Sequence, residues 1–216
     1  MIYWVSVYMS FTVCIAAVIA AVRFRKLDRV YLPFILSIWI ASINEIISFS
    51  IAQKGYSNYA NNNIYILAEG LLILWQFKNW ELFNRAWMLP VGLAIGLVGT
   101  WIYEIHSLET LNQLHYYYRL LYAAIVVICS INIQNRLIIS HNHRLLTNPV
   151  FFICIAYILY FTLKILTDTY WIYNPKSSTV FLTAVFYSMA CNNLITNLLF
   201  IIAVLWIPRK PDYITF

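Results

Sequence analysis

Apolar positions in this chain neither alternate with polar ones nor recur as narrow stripes. They run together for about twenty residues at a time, separated by short polar stretches. Such runs cover approximately residues 3–22, 31–52, 63–83, 87–104, 113–136, 149–168 and 178–207. A helix rises about 1.5 Å per residue, so roughly 20 residues match a hydrocarbon core about 30 Å thick. In lipid the backbone N–H and C=O groups must be paired within the segment, which a helix achieves by itself. Pro33, Pro90 and Pro149 stand at or just inside the starts of the second, fourth and sixth runs, and Pro208 follows the seventh. Proline is tolerated in a first turn because the missing N–H has no intrahelical partner there. The expectation is an all-α fold: a polytopic seven-transmembrane-helix bundle forming one domain over residues 1–216.

Charge adds a direction. Of the 14 lysines and arginines, ten lie in the odd connections and the tail: Arg23, Arg25, Lys26, Arg29, Lys78, Arg85, Arg136, Arg144, Arg209 and Lys210. The even connections carry only Lys54 and Lys176. Basic residues collect on the cytoplasmic side, so the N-terminus is expected outside and the C-terminus in the cytoplasm. The first run has no basic segment before it and a basic cluster after it, which reads as a retained anchor rather than a cleaved leader. The connections are short, so no soluble domain is expected and any output to the cytoplasm needs a partner protein.

Composition closes other routes. Hydrophobic residues make up 62% and charged residues 10%, against about 45–50% and about 25% in soluble domains. So little polar surface cannot cover a soluble fold of this size, and the lipid bilayer is the expected surrounding. The formal charge of +6 is therefore an orientation signal, and no nucleic-acid partner is expected. Cys14, Cys129, Cys154 and Cys191 each sit inside an apolar run and form no CxxC pair, so they read as packing residues.

Ionisable groups within the spans are costly there and are the first candidates for a site. Glu69 lies about seven residues below the outer start of the third run, and Glu45 a similar distance below the outer end of the second. Arg119 is about six residues below the outer start of the fifth run, and Lys164 about four from the outer end of the sixth. Asn62, Tyr65, Glu69, Gln76 and Trp80 share one helical face, as do His115, Arg119 and Tyr122, and Tyr157, Lys164 and Asp168. Two readings stand side by side: Glu45 or Glu69 pairs with Arg119 as structure, or the same groups line a ligand pocket. Lys164 reads best as a snorkelling side chain with Asp168 as its local partner at i+4. Asn192, Asn193 and Asn197 in the seventh run read as interhelical hydrogen-bonding residues, with a polar gate as the functional alternative, and Asn44 and Gln76 join them as gate or packing residues. Gly92 and Gly96 form a GxxxG pair, compatible with a homodimer face or with internal packing.

No HExxH, GxSxG or P-loop motif occurs, and none of the histidines lies deep in a run. No catalytic residue, metal or cofactor is expected, and the protein reads as a non-enzyme. A retinal protein needs a lysine in its seventh helix, which this one lacks. The halves do not repeat as in SWEET-type transporters, because aligning Pro33 with Pro149 sets Phe161 opposite Glu45 and Val185 opposite Glu69. With its ending Leu205-Trp206-Ile207-Pro208-Arg209-Lys210, the chain resembles the uncharacterised short seven-helix bacterial membrane proteins, which implies a multi-pass cytoplasmic-membrane location. The functional expectation is a receptor-like or sensor subunit with an outward-facing pocket among runs 2, 3, 5 and 6, signalling through a membrane or cytoplasmic partner. Glu45 and Glu69 would take the cationic end of a small polar or zwitterionic ligand. Arg119 would take its anionic end and Tyr65, Tyr118 and Tyr122 its body, with His115 and Lys164 nearby. A small-solute or proton-coupled transporter is the alternative, and a structural or assembly partner the third reading.

Overall fold

A computed structural model describes residues 2–83, 88–108, 111, 113–140, 145–173 and 178–208. Arg85, Trp87, His141, His143, Arg144, Lys176, Arg209 and Lys210 lie outside the described residues. The helices are α1 (Ile2–Phe11), α2 (Val13–Arg23), α3 (Leu32–Gln53), α4 (Tyr59–Asn79), α5 (Leu89–Leu108), α6 (Tyr116–Ser140), α7 (Pro149–Tyr173) and α8 (Thr179–Trp206). No β-strand occurs among the described residues. Six segments are long and apolar enough to cross a membrane: α1 with α2, then α3, α5, α6, α7 and α8. The chain is thus an all-helical, multi-pass membrane protein. Its outer surface suits lipid: Val18, Val22, Ile139 and Val180 are among many large apolar side chains left exposed.

Two elements depart from the apolar runs. The first run is not one helix, because Thr12 interrupts it, with the Thr12 N–H and the Thr12 hydroxyl both donating to the Met9 carbonyl. The third run is displaced toward the N-terminus: α4 already includes Asn61, Asn62 and Asn63 and stops at Asn79. Glu81, at φ +57°, takes the left-handed conformation that ends it. α4 is 21 residues long, as long as its neighbours, but less apolar. Its buried positions include Asn63, Gly70 and Gln76, so its polar face looks into the bundle.

Successive spans run antiparallel, α1 and α2 together counting as one. α3 packs on α2 and α4, α6 on α5 and α7, α8 on α7 and on both halves of the first segment, and α4 also touches α6. The ends carrying Arg23, Arg29, Lys78 and Arg136 therefore gather at one end of the bundle, called here the basic end. Near it the core is aromatic: Phe34 meets Phe200, Phe200 meets Tyr157, and Tyr157 meets Phe77, all edge-on. Gln76 ties α3 to α4 there, accepting from the Phe34 N–H at 2.9 Å and donating to the Val30 carbonyl at 2.9 Å. It satisfies one of the unpaired donors at the start of α3, so this residue caps α3 and joins the two helices.

Arg23 does more than orient the chain. Its Nη1 donates to the Val204 and Leu205 carbonyls, both at 2.6 Å, and its Nη2 to that of Ile207 at 3.3 Å. These are carbonyls at the C-terminal end of α8, where a cation also meets the negative end of the helix dipole. Arg23→Gln is expected to cost about 1–2 kcal/mol, read from the denaturation midpoint of the purified protein in mixed micelles. An unchanged midpoint would show that water serves those carbonyls equally well.

Candidate functional site

The expected charges separate into two groups by depth and by partner. Glu69 stands ten residues from either end of α4, Glu45 eight residues before Gln53, and Lys164 nine before Tyr173. At about 1.5 Å per residue all three lie roughly 12–15 Å inside the end opposite the basic one. Arg119 is only three residues past Tyr116, and Asp168 is five residues before Tyr173. Helix ends explain the shift: α7 continues through Tyr170 and Trp171, so Lys164 sits deeper than the apolar run suggested.

Arg119 does not pair with either glutamate. Its Nε donates to Asp168 Oδ2 at 3.0 Å and its Nη2 to Asp168 Oδ1 at 3.1 Å, a two-pronged bridge between α6 and α7. That bridge removes Asp168 as the partner of Lys164 and Arg119 as a free anion-binding group. Lys164 does not snorkel either. It is 6% exposed, its ammonium lies 5.5 Å from the Tyr160 ring centre and 5.8 Å from that of Phe161, and it makes no hydrogen bond among the described residues.

Glu69 is held by two phenols. Tyr65, one turn earlier on α4, donates to Oε1 at 2.5 Å, and Tyr122 of α6 donates to Oε2 at 2.9 Å. The remaining α6 candidates serve the scaffold. Tyr118 donates to the Ile66 carbonyl at 3.2 Å, and His115 is fully buried with its ring edge-on to Trp101. Glu104, which the sequence did not single out, accepts from the backbone N–H groups of Tyr117 and Tyr118 at the start of α6, where a carboxylate complements the helix dipole.

Glu45, Glu69 and Lys164 line one cavity of about 120 Å³. It lies between the first segment, α3, α4, α7 and α8, not among α3, α4, α6 and α7 as expected. Arg119, His115, Tyr118 and Tyr122 do not line it. Its walls are aromatic on the α7 side, with Tyr157, Tyr160 and Phe161, and polar on the α8 side, with Asn193, Thr196 and Asn197. Among the described residues Glu45 makes no hydrogen bond, and the hydroxyl of the buried Thr196 has no hydrogen-bond partner. A second cavity of about 240 Å³ shares Ser10 and Glu45 with the first and runs between α1 and α3 to Ala52 and Asn58. Glu45 thus stands where the two meet.

Ser10 and Thr12 were missed, because two hydroxyls in an apolar run are ordinary by themselves. Their meaning comes from α8. Asn197 donates to Thr12 Oγ1 at 2.9 Å and to the Ser10 carbonyl at 3.4 Å, and Asn193 donates to Ser10 Oγ at 2.9 Å. The α8 asparagines therefore stabilise the interruption of the first segment beside the cavity. Asn192 instead donates across to the Leu159 carbonyl and does not line it. Asn44 lines the cavity and accepts from Asn61 at 2.8 Å. Among the described residues no group of three His, Cys, Asp or Glu side chains could hold a metal ion. Cys129 and Cys154 are buried, Cys14 is half-buried and Cys191 is exposed, all as free thiols. No protein family, curated protein or solved structure matches the chain.

Proposed function

We propose that this chain is a seven-pass, receptor-like protein of a bacterial cytoplasmic membrane that binds a compact polar ligand reaching it from outside. The observation that carries the reading is the mid-depth cavity in which the ionisable side chains of Glu45 and Lys164 make no hydrogen bond to the described protein. Charges at such depth are retained at a cost, and a ligand that completes them accounts for their retention. α4 supplies the seventh pass: its length suits a crossing, and its polar face belongs to a helix turned toward the bundle interior. Seven passes would put the termini on opposite sides, and the gathered basic residues support a cytoplasmic basic end.

Access and closure favour sensing. The Ala52 and Asn58 end of the second cavity is the non-basic end, so it opens outward in this orientation. Toward the cytoplasm, Phe200, Tyr157, Phe34 and Phe77 pack edge to edge beneath the ligand site. Ligand contact would shift the hinged α1 or α8, and a membrane or cytoplasmic partner would read that movement. A transporter is the second reading. The interruption at Thr12 borders the cavity, and interrupted helices at binding sites are a transporter device.

Labelling separates the two. With the native cysteines replaced, Asn62→Cys is expected to react with a membrane-impermeant maleimide from outside. Ile73→Cys, a buried position further along α4, is expected to stay unreactive from both sides with or without ligand. Reaction of Ile73→Cys from the cytoplasmic face, exchanging with that of Asn62→Cys, would replace the sensor by a transporter.

A further inference from the structure

The charges facing the cavity do not cancel. Glu45 and Glu69 contribute two negative charges, Lys164 one positive, and no other Asp, Glu, Lys or Arg lines it. The nearest other charges are spoken for: Arg119 and Asp168 bridge each other, and Glu104 caps α6. With all three ionised, one negative charge would be left over in a region of low dielectric, where it must be neutralised by a proton or matched by a cation. The leftover belongs to Glu45, since Glu69 accepts from Tyr65 and Tyr122 while Glu45 accepts from no described residue.

Hydrogen-bonding capacity on the cavity wall serves either sign, so the choice falls to charge and to the rings. On the α8 wall Asn197 donates to Ser10 and Thr12, and Asn193 gives one of its two N–H groups to Ser10. The Thr196 hydroxyl, buried and without a partner among the described residues, can donate or accept and discriminates nothing either. Asn44 and Asn62 offer both a donor and an acceptor and discriminate nothing. A ligand carboxylate would find Lys164 as its only cation, already facing Glu69. An ammonium would find the Glu45 carboxylate and the face of Tyr157, which attracts cations, while Tyr160 and Phe161 already face the Lys164 ammonium. Size sets the rest: about 120 Å³ is a little less than the roughly 150 Å³ cavity that takes benzene.

We propose that the cavity takes a compact organic monocation, a small amine without a carboxylate, with its ammonium on Glu45 and its apolar body against the α7 rings. This rests on the ligand-site reading above and replaces the zwitterion, whose anionic end depended on Arg119. The test uses the full chain in lipid nanodiscs, with the thermal midpoint followed by tryptophan fluorescence at constant ionic strength. The probes are n-butylamine, 4-aminobutanoate, butanoate and sodium ion. n-Butylamine is expected to raise the midpoint saturably, with a half-saturating concentration at least about tenfold below that of 4-aminobutanoate, and butanoate to do nothing. Glu45→Gln should abolish the amine shift, and the charge-keeping Glu45→Asp should retain it. The wild-type panel ranks the probes even if a variant does not fold.

Preference for 4-aminobutanoate or butanoate would overturn the monocation and leave the ligand site standing. A saturable shift from sodium ion alone, lost in Glu45→Gln, would overturn the organic class. An amine shift that survives in Glu45→Gln would place the amine elsewhere and overturn the proposal. No shift from any probe would remove the monocation and the ligand reading together.

Discussion

Replacing Asp168 with alanine is expected to cost about 3–5 kcal/mol, because it leaves the Arg119 guanidinium buried without its counter-ion. The side chains of this pair are 11% and 5% exposed, and both prongs of the guanidinium are engaged. A surface pair with the same distances would contribute about 0–1 kcal/mol, so burial decides the size of the effect. Removing both partners should be mild: Arg119→Met with Asp168→Leu is expected to unfold near the wild-type midpoint, since apolar packing replaces a buried pair at little cost. A neutral contact gives the scale. Asn192→Leu loses one bond to the Leu159 carbonyl and should cost about 0.6 kcal/mol, the average for interhelical hydrogen bonds in membranes. Denaturant titration in mixed micelles ranks the four proteins. An Asp168→Ala loss no larger than that of Asn192→Leu would mean that water reaches the bridge.

The placement of the helices was legible because the solvent is lipid. A crossing must be long and apolar, and the prolines at 33, 90 and 149 mark starts that the structure keeps within α3, α5 and α7. The exceptions have physical causes. Asn61 falls before the third apolar run, yet it is helical, with Asn61 donating to Asn44 and Ser48 and Asn63 to the Leu111 and Gln113 carbonyls. The interruption at Thr12 has no glycine or proline to announce it, and the residue that supports it, Asn197, lies at the other end of the chain.

The site was legible in its residue types and not in its pairings. Glu45, Glu69 and Lys164 stood out as buried charges, and all three line the cavity. Which cation was free depended on where α6 and α7 end. Those ends are made of tyrosines and tryptophans that belong equally to a helix or to its border. An error of five residues there moves a charge by more than a turn, enough to exchange Arg119 for Lys164 as the group facing the cavity.

Glycine positions give the second large effect and two opposite signs. A Cβ on Gly70 would stand 2.9 Å from Tyr118 Oη and 3.2 and 3.3 Å from Tyr122 Cδ2 and Cε2. Neither ring can swing aside easily. Both are fully buried and stacked on each other, Tyr118 is bonded to the Ile66 carbonyl and Tyr122 to Glu69. Gly70→Ala gains about 1 kcal/mol of helix propensity and loses about 1–3 kcal/mol to overpacking, for a small net loss. Gly70→Leu adds bulk that the rings cannot yield to and is expected to cost about 3 kcal/mol or more. It should also weaken amine binding by moving the Tyr122 hydroxyl off Glu69. At Gly92 and Gly96 a Cβ would meet nothing within 4 Å. Internal packing therefore does not require those glycines, and each change to alanine should add up to about 1 kcal/mol. Losses at both positions, growing as the protein is concentrated, would instead mean that a second copy covers that face of α5.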